Sequence, residues 1–160
     1  MKQQFKTLLL SVFAFMFLLL SCKKEKAQPK CSPLKATYTT TNEILSPPPM
    51  LQQRITGIGH SSHLGESKFV AISTLNLTTS PPFKLAGTAT FYAANGDEYY
   101  TVFTGTSTPS SDGTSNVVIT HDITGGTGRF KHATGKFTAN AIADPKKPSG
   151  SVTYEGYICY

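Results

Sequence analysis

Residues 85–107 read LAGTATFYAANGDEYYTVFTGTS, and this stretch decides the fold. Asn95-Gly96 is typical of a two-residue type I′ turn, whose twist matches that of the strands on either side. In the first arm, Ala89 and Phe91 share one face of a strand, and threonine and tyrosine alternate with them on the other. The stretch therefore predicts a β-hairpin with one buried face.

Short strands and turns continue on both sides of this hairpin. From Leu34 onward, β-branched and aromatic residues dominate, and glycine, proline or Asn-Gly interrupts them about every 8 to 15 residues. No stretch there has apolar residues at helical spacing over three turns. We predict eight strands, at 35–44, 53–60, 66–78, 85–94, 97–107, 116–124, 135–143 and 151–159.

The N-terminus has the features of an export signal. Two lysines precede an apolar run from Leu8 to Leu20, which stops at Ser21-Cys22. This run of 13 residues is short, since about 20 are needed to span a bilayer as a helix. The segment 19–22, LLSC, resembles the lipobox of bacterial lipoproteins, in which the cysteine is acylated and becomes the mature N-terminus.

We therefore predict a lipoprotein signal peptide over residues 1–21, lipidation of Cys22, and a flexible lipid-anchored tether over 22–30. An ordinary secretory signal with a chance cysteine is the alternative. Lys23, rather than aspartate, follows Cys22, which favours the outer membrane, with the domain on its periplasmic face or at the cell surface.

Cys31 and Cys159 flank all the predicted strands. In the oxidising compartment that an exported chain reaches, two such cysteines are expected to form a disulfide. A reactive thiol is the alternative, but neither cysteine has a nearby histidine or a Cys-x-x-Cys partner. The disulfide makes the first and last strands neighbours, so we predict a closed eight-stranded antiparallel β-barrel over residues 31–160. Such a barrel is either filled by its own side chains or holds one small ligand.

The charge distribution argues against nucleic acid as a partner. The chain has 15 basic and 9 acidic residues, but from Cys31 onward only nine basic residues remain against eight acidic ones. The excess lies in the signal peptide and tether, where lysines can rest against anionic headgroups. No basic face is implied for the barrel.

His121 is the residue most informative about function. It alternates with Val117, Ile119 and Ile123 on the apolar face of its strand, so it is expected to point inward. It is either a core histidine that bonds a tyrosine or a backbone carbonyl, or a polar contact in an apolar cavity. Burial would lower its pKa. The other residues expected to line such a cavity are Phe91, Phe103 and Phe137, with Ala89 and Ala139.

The remaining candidate sites are weaker. His60 and His63 form an H-x-x-H pair in a turn, but no third ligand lies near, so we predict no metal site. Glu155 falls on the solvent face of the last strand and has no second carboxylate to act with. No serine lies in a G-x-S-x-G elbow, and no cofactor is predicted.

A family resemblance is carried by ITGGTGRFKHATGKFTA (123–139), together with NGDEYYTVFTGTST before it and the terminal GSVTYEGYI. These segments resemble the allene oxide cyclase barrel-like and dirigent-like proteins. The resemblance implies an eight-stranded calycin-like barrel in which the glycine-rich turn joins two late strands. It does not imply a reaction, because the carboxylate-centred site of a cyclase is not visible in this sequence.

The glycine-rich turn also has a physical interpretation of its own. Gly125, Gly126 and Gly128 allow positive φ, so that the chain can reverse tightly and let Phe130 plug one end of the barrel. A phosphate-binding loop is excluded, because Gly-Lys is followed by Phe137 rather than by serine or threonine.

These features predict a membrane-anchored envelope lipoprotein that is more a binding protein than an enzyme. Its barrel is expected to bind a small apolar ligand or a protein partner. The alternative is a barrel isomerase or cyclase of the allene oxide cyclase type, with His121 facing the substrate. A surface adhesin or assembly subunit is a third hypothesis. The ligand and the oligomeric state stay open.

Overall fold

A computed structural model describes residues 29–160 as one closed β-barrel, which confirms the predicted fold class. The strands follow one another around the barrel in chain order, all antiparallel, and the last pairs with the first. They are β1 (Cys31–Ser46), β2 (Met50–Ser61), β3 (Gly65–Asn76), β4 (Phe83–Ala93), β5 (Glu98–Pro109), β6 (Ser115–Gly126), β7 (Thr134–Ala143) and β8 (Ser149–Cys159).

The predicted signal peptide and the predicted lipidation site at Cys22 lie outside the described residues. Of the predicted tether, only residues 29 and 30 are described. Within residues 29–160, the structure has no helix that is long and apolar enough to cross a bilayer.

The predicted disulfide between Cys31 and Cys159 is present. The two residues face each other at one end of the β1–β8 ladder, which continues to the pair Thr41 and Ser149. The covalent bond and the backbone ladder therefore close the barrel at the same place. Because of this closure, each of the eight strands has a neighbour on both sides and presents no free edge.

Alternation along the strands separates the lumen from the outer wall. In β1, Leu34, Ala36 and Tyr38 are buried, while the residues between them are exposed. The predicted inward residues of β4, among them Leu85, Ala89 and Phe91, are buried in the same way. A period of two thus places large apolar side chains inside the barrel and threonine-rich positions outside it.

The strands extend beyond the stretches of clear alternation. β1 runs on to Ser46 with a register shift after Ile44, because backbone hydrogen bonds continue through polar positions where the side-chain pattern fades. In contrast, β3 ends at Asn76, two residues earlier than predicted. There the Asn76 carboxamide oxygen accepts a hydrogen bond from the Thr78 amide at 2.9 Å, which starts a turn.

The glycine-rich segment after β6 folds over one end of the barrel. It contains a short 3-10 helix that ends at Phe130, and the ring of Phe130 is fully buried. Gly125 and Gly128 use the positive φ that glycine allows, with values of +133° and +51°. Gly126 is not among the residues with positive φ. Glycine fits that position because of space, since a Cβ there would overlap the carbonyl oxygen of Glu98.

We expect the double variant Cys31→Ser/Cys159→Ser to form the same barrel with lower stability. The disulfide joins residues 128 positions apart, and loss of so long a cross-link costs about 2–5 kcal/mol of unfolding free energy. Urea unfolding followed by circular dichroism measures the difference. A reductant should lower the midpoint of the parent to that of the variant. A parent whose midpoint is the same with and without the disulfide contradicts its role in closure.

Candidate functional site

Buried side chains close the lumen at the end of the barrel that carries the disulfide. Leu64, Phe130 and Ala133 are buried there, on the β2–β3 turn and on the segment after β6. We call this the sealed end.

His63 makes hydrogen bonds to three other segments of the chain at the sealed end. Its Nε2 lies 2.8 Å from the carbonyl oxygen of Pro33, and its Nδ1 lies 3.1 Å from the hydroxyl oxygen of Tyr160. The Arg129 guanidinium donates a hydrogen bond to the carbonyl of His63. Both ring nitrogens are therefore engaged, while His60 lies exposed on the outer wall. In the described part of the chain, no three histidine, cysteine or acidic side chains gather around a common point as metal ligands do.

The opposite end, which we call the mouth, is open. It is bounded by the turns 47–49, 77–82, 110–114 and 144–148. Five apolar side chains near it are only partly buried: Ile55, Leu75, Val117, Ile119 and Ala141. In the same half of the barrel, the inward residues Thr40, Ser73 and Ser107 are polar and buried. We call the five partly buried apolar side chains the apolar ring, and they are reached by solvent from this end.

A layer of aromatic rings fills the lumen between the mouth and the sealed end. Phe91 lies at its centre, with ring centroids 4.7 to 6.2 Å from those of Tyr38, Phe69, Tyr99, His121, Phe137 and Tyr154. Most of these pairs meet edge to face, the favoured geometry for aromatic contacts. The layer is packed protein, and it forms the floor of the mouth.

The structure brings the four predicted cavity-lining residues together in this layer. Phe91, Phe103, His121 and Phe137 are each exposed by 4% or less. They pack against one another rather than around an open space. The surface that faces the mouth belongs mainly to smaller side chains above them, which the sequence analysis had not singled out.

His121 is held between two phenylalanines and bonds a threonine. Its ring centroid lies 4.6 Å from that of Phe137 and 4.8 Å from that of Phe103. Its Nδ1 lies 3.0 Å from the Thr101 hydroxyl oxygen. Burial lowers the pKa of His121 to about 3, against a small opposing effect of Asp122, so the ring is neutral at physiological pH.

Sequence reasoning missed Thr101, having expected a tyrosine or a backbone carbonyl as the partner of His121. The sequence does indicate that Thr101 points inward, because it alternates with Tyr99 and Phe103 on one face of β5. Which inward residue of β5 reaches His121 depends on the register between β5 and β6, and that register was not known.

Three polar atoms of the aromatic layer keep hydrogen-bonding capacity. Within residues 29–160, His121 Nε2 and the hydroxyls of Tyr99 and Tyr154 make no hydrogen bond, whereas the Tyr38 hydroxyl lies 2.9 Å from Ser67 Oγ. In the same residues no side-chain nitrogen or oxygen that is sealed from solvent lacks a partner. These three atoms are therefore not fully sealed, although the residues that carry them are exposed by only 1%, 2% and 5% for Tyr99, His121 and Tyr154. Burial raises the pKa of both tyrosines, so they stay protonated.

The charged side chains lie on the outer wall. Glu155 pairs with Lys35 at 3.3 Å and Asp122 with Lys136 at 3.0 Å, all of them more than half exposed. Among the buried residues of the described chain, none is acidic or basic apart from neutral His121. The lumen therefore offers no carboxylate as a general acid, a general base or a metal ligand.

Two shallow grooves of about 380 and 400 Å³ lie on the outer wall. They meet at Asn140 and Thr153, where small side chains on β8 leave the wall concave. The first is lined by apolar and small polar residues of β6, β7 and β8, and the second includes the charged side chains of Lys35 and Glu155. Both are open to solvent, so they lack the enclosed apolar surface of a small-molecule site.

No family model and no curated protein matches the chain. Among solved structures, it is similar to a pterocarpan synthase dirigent protein. The two are 17% identical, the match covers 83% of this chain and 92% of the other, and the TM-score is 0.58. At this identity the likeness concerns the fold alone, and it agrees with the dirigent-like barrel that the sequence resemblance implied.

We expect the neutral, buried His121 to make the barrel less stable in acid. Its pKa is about 3 when folded and about 6.5 when unfolded, so between these values the unfolded chain binds more protons. The unfolding free energy contributed by this group therefore falls as the pH drops below about 6.5, by about 2 kcal/mol between pH 7 and pH 5. Urea unfolding at several pH values measures this loss.

His121→Phe should flatten the dependence on pH, because it removes the titrating group. His60→Gln, which changes an exposed histidine of the wall, is the control and should leave the dependence as it is in the parent. An equal slope in the parent and in His121→Phe would show that His121 is not the group responsible.

Proposed function

We propose that this protein is a lipid-anchored envelope lipoprotein whose barrel binds a small, uncharged and mainly apolar ligand at its mouth, without catalysing a reaction. The observation that carries the proposal is the contrast between the two ends. Phe130 is fully buried at the sealed end, whereas the apolar ring at the mouth, from Ile55 to Ala141, is only partly buried. An apolar surface that solvent reaches from one end of a barrel is a suitable location for a small-molecule site.

The lining of the lumen favours an uncharged ligand over a charged one. A charge that leaves water without a partner costs several kcal/mol, and the interior provides no counter-ion. A ligand that is uncharged and apolar over most of its surface fits these properties best.

The anchor is supported by the sequence and by the disulfide. An apolar run of signal-peptide length ends directly before Cys22. The disulfide between Cys31 and Cys159 suits a protein that functions outside the cytosol. Since β1 begins only nine residues after Cys22, the sealed end is the end that the tether joins.

The isomerase or cyclase alternative rests on the family resemblance and on His121, the one residue nominated for it. A ring with a pKa of about 3 is a poor base near neutral pH. The lumen supplies no carboxylate to assist it. A binding role therefore accounts for the interior better than proton transfer does.

We expect metabolic labelling with a clickable palmitate analogue to mark the parent chain in a bacterial host. Cys22→Ser should lose the label, because the acylated thiol is gone. Cys31→Ser removes a cysteine of the barrel and should keep the label. A Cys22→Ser chain that is still labelled contradicts the anchor.

We expect native mass spectrometry of the barrel, released from its tether after expression in a bacterial envelope, to show a bound small molecule. Ala141→Phe places a large ring at the mouth and should lower the bound fraction at least about tenfold. Val118→Phe adds the same ring on the outward face of the adjacent strand and should leave binding unchanged. If the parent carries no adduct, the ligand proposal fails and a role in binding a protein partner is favoured.

A further inference from the structure

The rim of the mouth is apolar on one side. On the β1–β2 hairpin, Ile44 is 66% exposed, Leu45 37% and Met50 46%. No charged residue occurs from 44 to 53 or from 77 to 83. We call Ile44, Leu45 and Met50, together with the prolines at 47–49 and 81–82, the apolar lip.

The two turns of the lip form one unit. The Leu77 amide donates a hydrogen bond of 2.9 Å to the carbonyl oxygen of Pro49, which joins the β3–β4 turn to the β1–β2 turn. Below this bond, Met50 pairs with Asn76 and continues the β2–β3 ladder. The lip is therefore held in place by the sheet and projects at the end of the barrel.

The backbone of the lip is suited to an apolar phase. Its five prolines have no N–H group, and a backbone donor that enters lipid without a partner costs several kcal/mol. The other turns at the mouth differ, since 110–114 and 144–148 carry Asp112, Asp144, Lys146 and Lys147. The apolar character is thus confined to one side of the rim.

Lysines lie beside the lip, together with the acidic residues Glu43 and Asp144, which pair with Arg54 and Lys147. Lys84 follows the second turn directly, and Lys146 and Lys147 lie on the β7–β8 turn. That turn is joined to β1 by a hydrogen bond of 3.1 Å from the Asn42 amide to the Pro148 carbonyl. Exposed apolar side chains beside lysines are the combination that holds peripheral proteins on anionic bilayers.

We propose that the apolar lip inserts into the surface of a lipid bilayer, with the flanking lysines among the headgroups. The lip projects from turns at one extreme of the barrel and consists of three exposed apolar side chains and five prolines. A few projecting apolar side chains are enough to add to membrane binding. This inference depends neither on a ligand in the lumen nor on the lipid at Cys22.

The chain that precedes the barrel is long enough for both contacts to reach one bilayer. The nine residues from 22 to 30 span up to about 30 Å when extended. A 12-residue strand such as β2, tilted by about 40°, also extends about 30 Å along the barrel axis. The extended length of this segment is therefore about equal to the height of the barrel.

The test uses the barrel fragment 29–160, which contains the whole sheet, its core and the disulfide, and lacks the anchor. It is centrifuged with vesicles of phosphatidylethanolamine and phosphatidylglycerol. Ile44→Ser/Leu45→Ser/Met50→Ser should lower partition at least about tenfold. Ile58→Ser/Val102→Ser/Val118→Ser removes wall side chains of similar or greater exposure, 70%, 47% and 46%, and should partition like the parent. Thermal unfolding checks that both variants are folded.

Fluorescence gives a second measurement, because the chain contains no tryptophan. Leu45→Trp should shift its emission to shorter wavelength when vesicles are added, whereas Ile58→Trp on the wall should not shift. Failure of the parent to partition, or an equal loss in the lip and wall variants, would overturn the proposal. A shift that rises with protein concentration without vesicles would also overturn it and would assign the lip to a contact between copies of the chain.

Discussion

Closure between β1 and β8 is the constraint on which the rest of the structure depends. The two strands pair from the Cys31–Cys159 end to Thr41 and Ser149, and the disulfide holds the end of this seam. Across it, the rings of Tyr38 and Tyr154 meet with centroids 5.7 Å apart. Without the seam there would be an open sheet with two edges, and the aromatic layer would lack part of its wall.

The closure of the lumen explains why the described interior contains no charged side chain. The layer around Phe91 is surrounded by sheet on all sides, so a charge inside it would meet neither water nor a counter-ion. His121 therefore stays neutral, and the acidic side chains lie on the wall, where water and lysines stabilise them. The two ends differ because turns cover the lumen at the sealed end and leave it open at the mouth.

Much of this fold could be predicted because strands repeat every two residues. The alternation through Ala89 and Phe91 separates lumen from wall without knowledge of the neighbours, and the two cysteines place the first strand beside the last. Contacts between strands could not be predicted in this way. The bond from His121 to Thr101 depends on the register of β5 and β6, which shifts at a bulge after Tyr100. The lip was missed for another reason, since proline-rich turns carry no periodic signal.

The order of the strands has a consequence for how the barrel assembles. Seven of its eight strand contacts join neighbours in the sequence, and the seam between β1 and β8 is the exception. Each hairpin can form after closing a short loop, whereas the seam must bring together the two ends of the domain at a much larger entropic cost. We infer that the seam forms last and that the rate of folding is governed by this one long-range encounter. Oxidation of the cysteines before folding would already have brought the two ends together.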